Sequence, residues 1–381
     1  MEELIQYPET TTGWILSGLL AVSTIYQLIY YITTGFVLRK KNKANNASAT
    51  LPAVSVIICA RNESENLKNH IPQIIKQKYP NFEVIVVNDS SSDDSDMILA
   101  QLKTQYPNLY YTTIPIDKKF VHTKKLAVNI GIKAAKNNLL LFTDADCMPA
   151  SENWITEMVK GYNPDTTEIV LGYSPYQKEK GLLNLLIRYD AFWNGVQYLS
   201  MAANGHPFMG VGRNLLYTKS LFLKNNGFSK HIYLYSGDDD LFVNETANKQ
   251  NTNIVTTADS QTISLAPATY LQWLNQKSRH LTTAPLYKFS HKLKLFAETL
   301  SRQLVWTLSI LSIIISNFAI IGISALILKI SLQLLSLKTA AKHLDAQKIY
   351  WAALLFDFIL PFILGSLYIR NMFRSKQIKW K

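Results

Sequence analysis

The sequence predicts an α/β domain with a mainly parallel sheet flanked by helices, held between N- and C-terminal transmembrane helices. Between about residues 52 and 265, short Val/Ile/Leu-rich runs alternate with helical patterns, as expected of parallel strands covered on both faces. Long charge-free stretches lie on either side of that region, and about 20 apolar residues span a bilayer core as a helix. A third observation places the chemistry. The apolar run LLLF leads into Asp144 and Asp146, at the strand end where open α/β sheets bind ligands.

Residues 13–38, GWILSGLLAVSTIYQLIYYITTGFVL, carry no charge and form the first expected span. A cleaved secretory signal fits less well, because the apolar stretch is too long, no basic region precedes it and no small-residue cleavage site follows. Arg39, Lys40, Lys41 and Lys43 come next, and a basic flank stays in the cytoplasm, so the N-terminus points outward. Residues 1–43 are thus an anchor, and the small polar run 44–51 is a linker.

A soluble, cytoplasmic domain is expected over 52–290. Its strands are AVSVIICA, FEVIVVN, LYYTTI, LLLF and EIVLGY, and its helices ESENLKNHIPQIIKQK, SDDSDMILAQLKTQY and HTKKLAVNIGIKAAK. No GxGxxG follows a strand and no GxxxxGK[ST] occurs, which removes most support for dinucleotide-dependent redox chemistry or a phosphate-loop ATPase. Cys59 and Cys147 sit in strand-like contexts and read as core thiols, since disulfides are rare in the cytoplasm.

The C-terminal membrane region is expected over 300–381. Residues 304–337 are too long for one upright helix, about 1.5 Å rise per residue against a core of about 30 Å. They form either a hairpin turning at Ser316 and Asn317 or one span with an interfacial extension, and Lys329 is costly there unless it snorkels. A further span over 349–369 precedes the basic tail RNMFRSKQIKWK, which favours a cytoplasmic C-terminus and three spans. Asp357 within that span should face protein or the interface. The formal charge of +12 flanks the apolar segments without a basic helix interleaved with exposed aromatics. It therefore points to an anionic membrane surface rather than nucleic acid.

Several polar clusters sit where ligands would bind. Arg61, Asn62 and Glu63 follow the first strand, where helix capping is the simpler role for Asn62 and Glu63. Asp89 ends the second strand, and the Ser90–Asp94 cluster after it is ordinary capping chemistry taken alone. Lys124 and Lys125 open a helix against its dipole, a placement that a nearby anion such as a diphosphate would explain. Asp144 and Asp146 offer hard oxygens suited to Mg²⁺ or Mn²⁺. Asp238, Asp239 and Asp240 crowd three charges at a helix start, where repulsion raises the proton affinity of at least one and suits a general base. Gln276, Arg279 and His280 share a helix face by their i, i+3, i+4 spacing, fit to grip phosphate or, with Trp273 and Lys288–Lys294 nearby, to lie on headgroups.

In order, SVIICARNESENL, VIVVNDSSSDDS, KKLAVNIG, FTDADC, GVGRNLLYTK, SGDDDL and QKSRH resemble the membrane-bound inverting glycosyltransferases of family 2, which include cellulose, hyaluronan and poly-N-acetylglucosamine synthases. The resemblance covers most of residues 52–285. It implies a GT-A fold and a nucleotide-sugar donor, UDP- rather than GDP-linked, lying across the carboxyl edge of the sheet. Ala60, Arg61 and Glu63 would border the nucleoside and Asp89 the base. Asp146 would ligate a Mg²⁺ or Mn²⁺ bridging the diphosphate, Asp144 would contact ribose or metal, and Lys125 would assist. Asp239, in the family's Glu-Asp position with Asp238, would be the base.

Two departures stand out. The base motif is GDDD, so a one-residue shift would make Asp238 or Asp240 the base, and QxxRW appears as QxxRH, with His280 in place of the tryptophan of the acceptor site. The acceptor is a lipid or a glycan at the cytoplasmic face of the cell membrane, and the histidine and the few spans weaken a polymer-synthase reading. Transfer to a polyprenyl phosphate is an alternative that needs no strong base. A catalytically inactive sensor or scaffold of a polysaccharide export complex is the non-enzymatic one.

Overall fold

The structure, a computed structural model, describes residues 11–39, 51–116, 123–314 and 319–373. Lys40, Lys41, Lys43, most of the linker, Ser316, Asn317 and the basic residues after Phe373 lie outside the described residues. Helix α1 (Thr11–Thr34) leads into the domain. There β1 (Val54–Ala60), α2 (Ser64–Ile75), β2 (Phe82–Asp89), α3 (Ser95–Gln105), β3 (Leu109–Ile114), α4 (Lys124–Ala134) and β4 (Leu139–Asp144) alternate as the periodicity predicts. A run of small elements follows: β5 (Cys147–Pro149), α5 (Trp154–Lys160), β6 (Ile169–Leu171), the long α6 (Leu182–Ala203), β7 (Leu215–Thr218) and α7 (Lys219–Lys224). The chain then forms α8 (Asp240–Thr246), β8 (Thr252–Ile254), β9 (Thr262–Ser264), α9 (Tyr270–His280), α10 (Phe289–Ile314), α11 (Ala319–His343) and α12 (Ala353–Met372).

The main sheet has seven strands in the order β3-β2-β1-β4-β7-β6-β8. Strands β1 to β4 are parallel, and β7 enters antiparallel to both β4 and β6. Every residue of β1 and the last six of β2 are buried, which explains their unbroken apolar runs. Two cores form, one on each side of the sheet. Leu67, Ile71 and Ile74 of α2 pack with Val54, Val56 and Ile58, while Ala127, Val128 and Ile132 of α4 meet Ile57, Ile85 and Leu140. The strands β5 and β9 make a separate antiparallel pair beside the end of β4.

Among the described residues, three helical segments are long and apolar enough to cross a membrane, Gly13–Arg39, Ala319–His343 and Ile349–Met372. Residues 304–337 divide between α10 and α11, which pack side by side so closely that a Cβ on Gly322 would strike Ser312. Of these two helices, α11 is the one long and apolar enough to cross a membrane. Helix α10 already begins at Phe289, ahead of residue 300. Lys329 does not snorkel. It is fully buried and meets the buried carboxylate of Asp357, which also accepts from Gln333 Nε2 at 2.8 Å and Trp306 Nε1 at 2.8 Å. Pairing inside protein removes the cost of an isolated charge in hydrocarbon.

Candidate active site

The parallel register sets Cys59 of β1 opposite Asp144 of β4 and Ala60 opposite Asn88, so three strands end along one edge. Asn62 and Ser90 adopt left-handed backbone, φ 54° and 55°, and the loops after β1 and β2 are tied together. The Asn62 N–H donates to Ser91 Oγ at 2.8 Å, the Ser92 N–H to Asn62 Oδ1 at 2.8 Å, and the Ser64 N–H to Asp93 Oδ2 at 2.9 Å. Thus the Ser90–Asp94 cluster caps and cross-links. Asp89 is fully buried at the end of β2 and accepts from Ser90 Oγ at 3.1 Å, while Glu63 accepts from Asn66 Nδ2 at 2.6 Å. The Nε of Arg61 is buried without a hydrogen-bond acceptor among the described residues, and a buried unpaired donor is costly.

Asp144 ends β4 and Asp146 follows a one-residue turn, its Ala145 carbonyl contacted by a His70 ring nitrogen at 2.9 Å. Ligand atoms of Asp144, Asp146 and Cys147 lie within 4.8 Å of one another. The Cys147 thiol donates to Asp146 Oδ1 at 3.3 Å and burial pushes its pKa well up, while the two carboxylates offer hard oxygens. Two hard oxygens at this separation fit Mg²⁺ or Mn²⁺. The turn is clamped by the β5–β9 pair, and β9 also carries Ser264, whose Oγ accepts from Arg213 Nη1 at 2.8 Å. Arg213 stacks over Tyr176 at 4.4 Å, and its charge and that of Arg279 act on Asp144.

Of the two lysines that open α4, Lys125 does not reach this edge. It is fully buried and donates to the carbonyls of His231 and Leu234. Lys124 is the one that faces the carboxylates, 2.7 Å from Asp144 Oδ1 and 3.3 Å from Asp238 Oδ2. Adjacent helix residues point about 100° apart, so only one of the pair can turn into the site.

The three aspartates of GDDD separate by their partners. Asp240 is fixed by Thr283 Oγ1, Tyr287 Oη at 2.7 Å and the Leu241 N–H at 2.8 Å. Asp238 is buried against Lys124. Among the described residues Asp239 accepts from backbone N–H groups, Gly212 at 2.6 Å and Asp240 at 2.7 Å. Burial first, then Asp238 and Asp240, push its carboxyl up to about 7, a value suited to taking a proton near neutrality. A Cβ at Gly212 would sit 3.2 Å from both Asp239 Oδ2 and Lys124 Nζ.

Helix α9 carries Gln276, Arg279 and His280, its N-terminus closed by a capping box between Thr269 and Gln272. Trp273, Lys277 and Ser278 are its buried side, and Lys277 pairs with Asp190 of α6 at 2.6 Å. Gln276 Oε1 accepts from Tyr176 Oη at 3.3 Å, which places it beside the Arg213–Tyr176 stack. His280 is exposed. Sequence reasoning set Lys124 and Lys125 together beside an anion but gave the site role to Lys125, and it left out Gly212 and Arg213. Arg213, lodged between a glycine pair and the buried strand LLYT, was the available signal.

Residues 55–222 match the glycosyl transferase family 2 profile. Glycosyltransferase AglE of Haloferax volcanii is 30% identical over 181 residues, 47% of this chain and 55% of that protein. The UDP-Glc:alpha-D-GlcNAc-diphosphoundecaprenol beta-1,3-glucosyltransferase WfaP of Escherichia coli is 28% identical over 129 residues, 33% of this chain and 47% of that protein. The chain therefore spans about half the length of the curated relatives it matches. Among solved structures, the mannosyltransferase PcManGT of Pyrobaculum calidifontis, in complex with GDP-Man and Mn²⁺, superposes with a TM-score of 0.63 at 18% identity, covering 95% of this chain and all of that one. At that identity the likeness speaks to the GT-A fold.

Proposed function

We propose, from the match of residues 55–222 to the glycosyl transferase family 2 profile, that the chain moves a sugar from a nucleotide-sugar donor to a hydroxyl of a membrane-borne lipid or glycan, with inversion. The observation that carries this reading is Asp239, a carboxyl poised near 7 beside a lysine that bridges Asp144 and Asp238. A general base near neutrality is what an alcohol acceptor needs, and a phosphate acceptor would not.

The donor's nucleoside lies over Ala60, Arg61, Glu63 and Asp89, where the unpaired Arg61 Nε would find an acceptor. Asp146 with Asp144 would hold a Mg²⁺ or Mn²⁺, which supplies neutralisation of the diphosphate leaving group. Arg213 and Lys124 add fixed positive charge at the same edge, preorganised where negative charge develops. Asp239 removes the acceptor proton as the oxygen attacks the anomeric carbon from the face opposite the leaving group. Arg279 and His280 on α9 border the acceptor, and Lys125 acts by fixing the 231–234 loop rather than by touching phosphate. UDP- and GDP-linked donors both remain open to test. Membrane association is supported by the three apolar helical segments, and we place the domain on the cytoplasmic face of the cell membrane.

The decisive experiment is nucleoside diphosphate release by the full chain in lipid nanodiscs, across UDP- and GDP-sugars with Mg²⁺ or Mn²⁺. Release from one donor, lost in Asp146→Ala and Asp239→Asn, is the expected result. Donor binding without release in the wild type, with or without lipid acceptors, would favour a sensor instead.

A further inference from the structure

Helices α11 and α12 are equally apolar, each with a mean hydropathy of 2.0, so composition assigns both to the membrane in the same way. Their contacts do not. Helix α11 runs parallel to α1, with the Gly35 N–H donating to Ser336 Oγ at 3.0 Å. It returns to the catalytic domain at Leu344, whose carbonyl accepts from Gln261 Nε2 at 2.8 Å. From there the chain enters α12 against α6. Ile349, Ala352 and Ala353 are buried, and Phe356 packs on Tyr189 with ring centroids 5.8 Å apart.

The far end of α12 is also on the catalytic domain. Ser278 Oγ donates to Asn371 Oδ1 at 2.5 Å, and Asn371 Nδ2 donates back to the Ser278 carbonyl at 2.7 Å. Ser278 is fully buried on α9, the helix that carries Arg279 and His280. A helix of 20 residues is about 30 Å long, the thickness of a bilayer core. Were it upright, Asn371 would emerge on the opposite side of the membrane, about 30 Å from any residue of the domain.

We propose that α12 does not cross the bilayer but lies in the plane of its cytoplasmic leaflet, which leaves α1 and α11 as the crossing helices of the three apolar segments. The partner of its outward face is lipid hydrocarbon. Leu354, Leu355, Ile359, Phe362, Ile369 and Met372 are 42–70% exposed, and α1 and α11 also carry exposed apolar residues. Basic residues flank both ends, Lys338, Lys342 and Lys348 before and Arg370, Arg374 and Lys376 after, which suits two ends at one anionic surface. Asp357 points inward to Lys329 and Arg302 and so leaves the lipid-facing side uncharged. Under the transferase reading, this arrangement holds α9, with Arg279 and His280, at the membrane surface where a lipid-borne acceptor arrives.

The test labels single cysteines in sealed vesicles of both orientations with a membrane-impermeant maleimide, using the full chain, whose native Cys59 and Cys147 are buried. Gln347→Cys and Arg370→Cys should react from the same face as Lys224→Cys on the catalytic domain. Bimane on Ile359→Cys should be quenched more strongly by lipids brominated near the headgroup than by lipids brominated near the chain end. Reaction of Arg370→Cys only from the opposite face, or strongest quenching by the deep bromines, would overturn the proposal. Neither readout depends on sugar transfer, so loss of the enzymatic reading leaves this test standing.

Discussion

Lys124 Nζ stands 2.7 Å from Asp144 Oδ1 and joins the turn after β4 to the start of α8 through its second contact, Asp238. Its side chain is only 14% exposed. Removing one partner of such a buried cluster costs on the order of 3–5 kcal/mol. Lys124→Met should therefore lower Tm, and, with a fixed positive charge beside the leaving group gone, kcat/KM should fall by about 100-fold. It should also raise the proton affinity of Asp239, on which Lys124 now acts to lower it, so the acid limb of the pH profile should move upward. An unchanged limb would separate Lys124 from the base.

Asp239 titrates at about 7 in the folded chain against an ordinary 3.8. As a base it works deprotonated, so kcat/KM should rise with pH and level off above about 7. Because Asp238 is a leading cause of the upward shift, Asp238→Asn should carry the limb to lower pH. The linkage to stability runs the other way. The folded state keeps this proton up to about pH 7 while the unfolded chain loses it near 3.8, so the group costs stability progressively as pH rises between those values.

The neighbouring aspartates should part in mutagenesis. Asp239→Asn should lose roughly 10²- to 10⁴-fold in kcat, the range of general-base catalysis, with little change in thermal stability. Asp240→Asn, which disturbs bonds to Thr283 and Tyr287, should lower Tm and keep most activity. If the two phenotypes are exchanged, Asp240 is the base.

The buried pair Lys329–Asp357, with Arg302 and Glu298 beside it, should tolerate joint removal better than single removal. Asp357→Leu leaves the buried Lys329 without its carboxylate and should cost about 3–5 kcal/mol, whereas Lys329→Met with Asp357→Leu should recover much of it. Thermal unfolding of the variants in nanodiscs reads the difference.

Gly212 admits no side chain without displacing Asp239 or Lys124, both 3.2 Å from where its Cβ would sit. Gly212→Ala should lower kcat more than it raises the donor KM, since the base moves and the nucleoside edge does not. Steady-state kinetics with the released nucleoside diphosphate as readout would test this split.

The sequence alone determined the strand–helix alternation, the carboxylates at strand ends and the apolar segments, because each is written in local periodicity and spacing. Strands β1 to β4 and helices α2 to α4 lie where the apolar runs put them. It did not determine β7, which enters the sheet antiparallel only after the excursion through α6, nor the short β5–β9 pair that clamps the Asp144–Asp146 turn.

Tertiary structure alone decided which of Lys124 and Lys125 turns toward the carboxylates and which aspartate of GDDD is held by side-chain hydroxyls. It also placed Arg213 beside Asp144 from about 70 residues downstream, and returned the far end of α12 to Ser278. Spacing fixes the direction of a side chain relative to its own helix or strand, but not what the rest of the chain brings to meet it. That second half depends on contacts between residues far apart in sequence, and the chemistry of this site is made of such contacts.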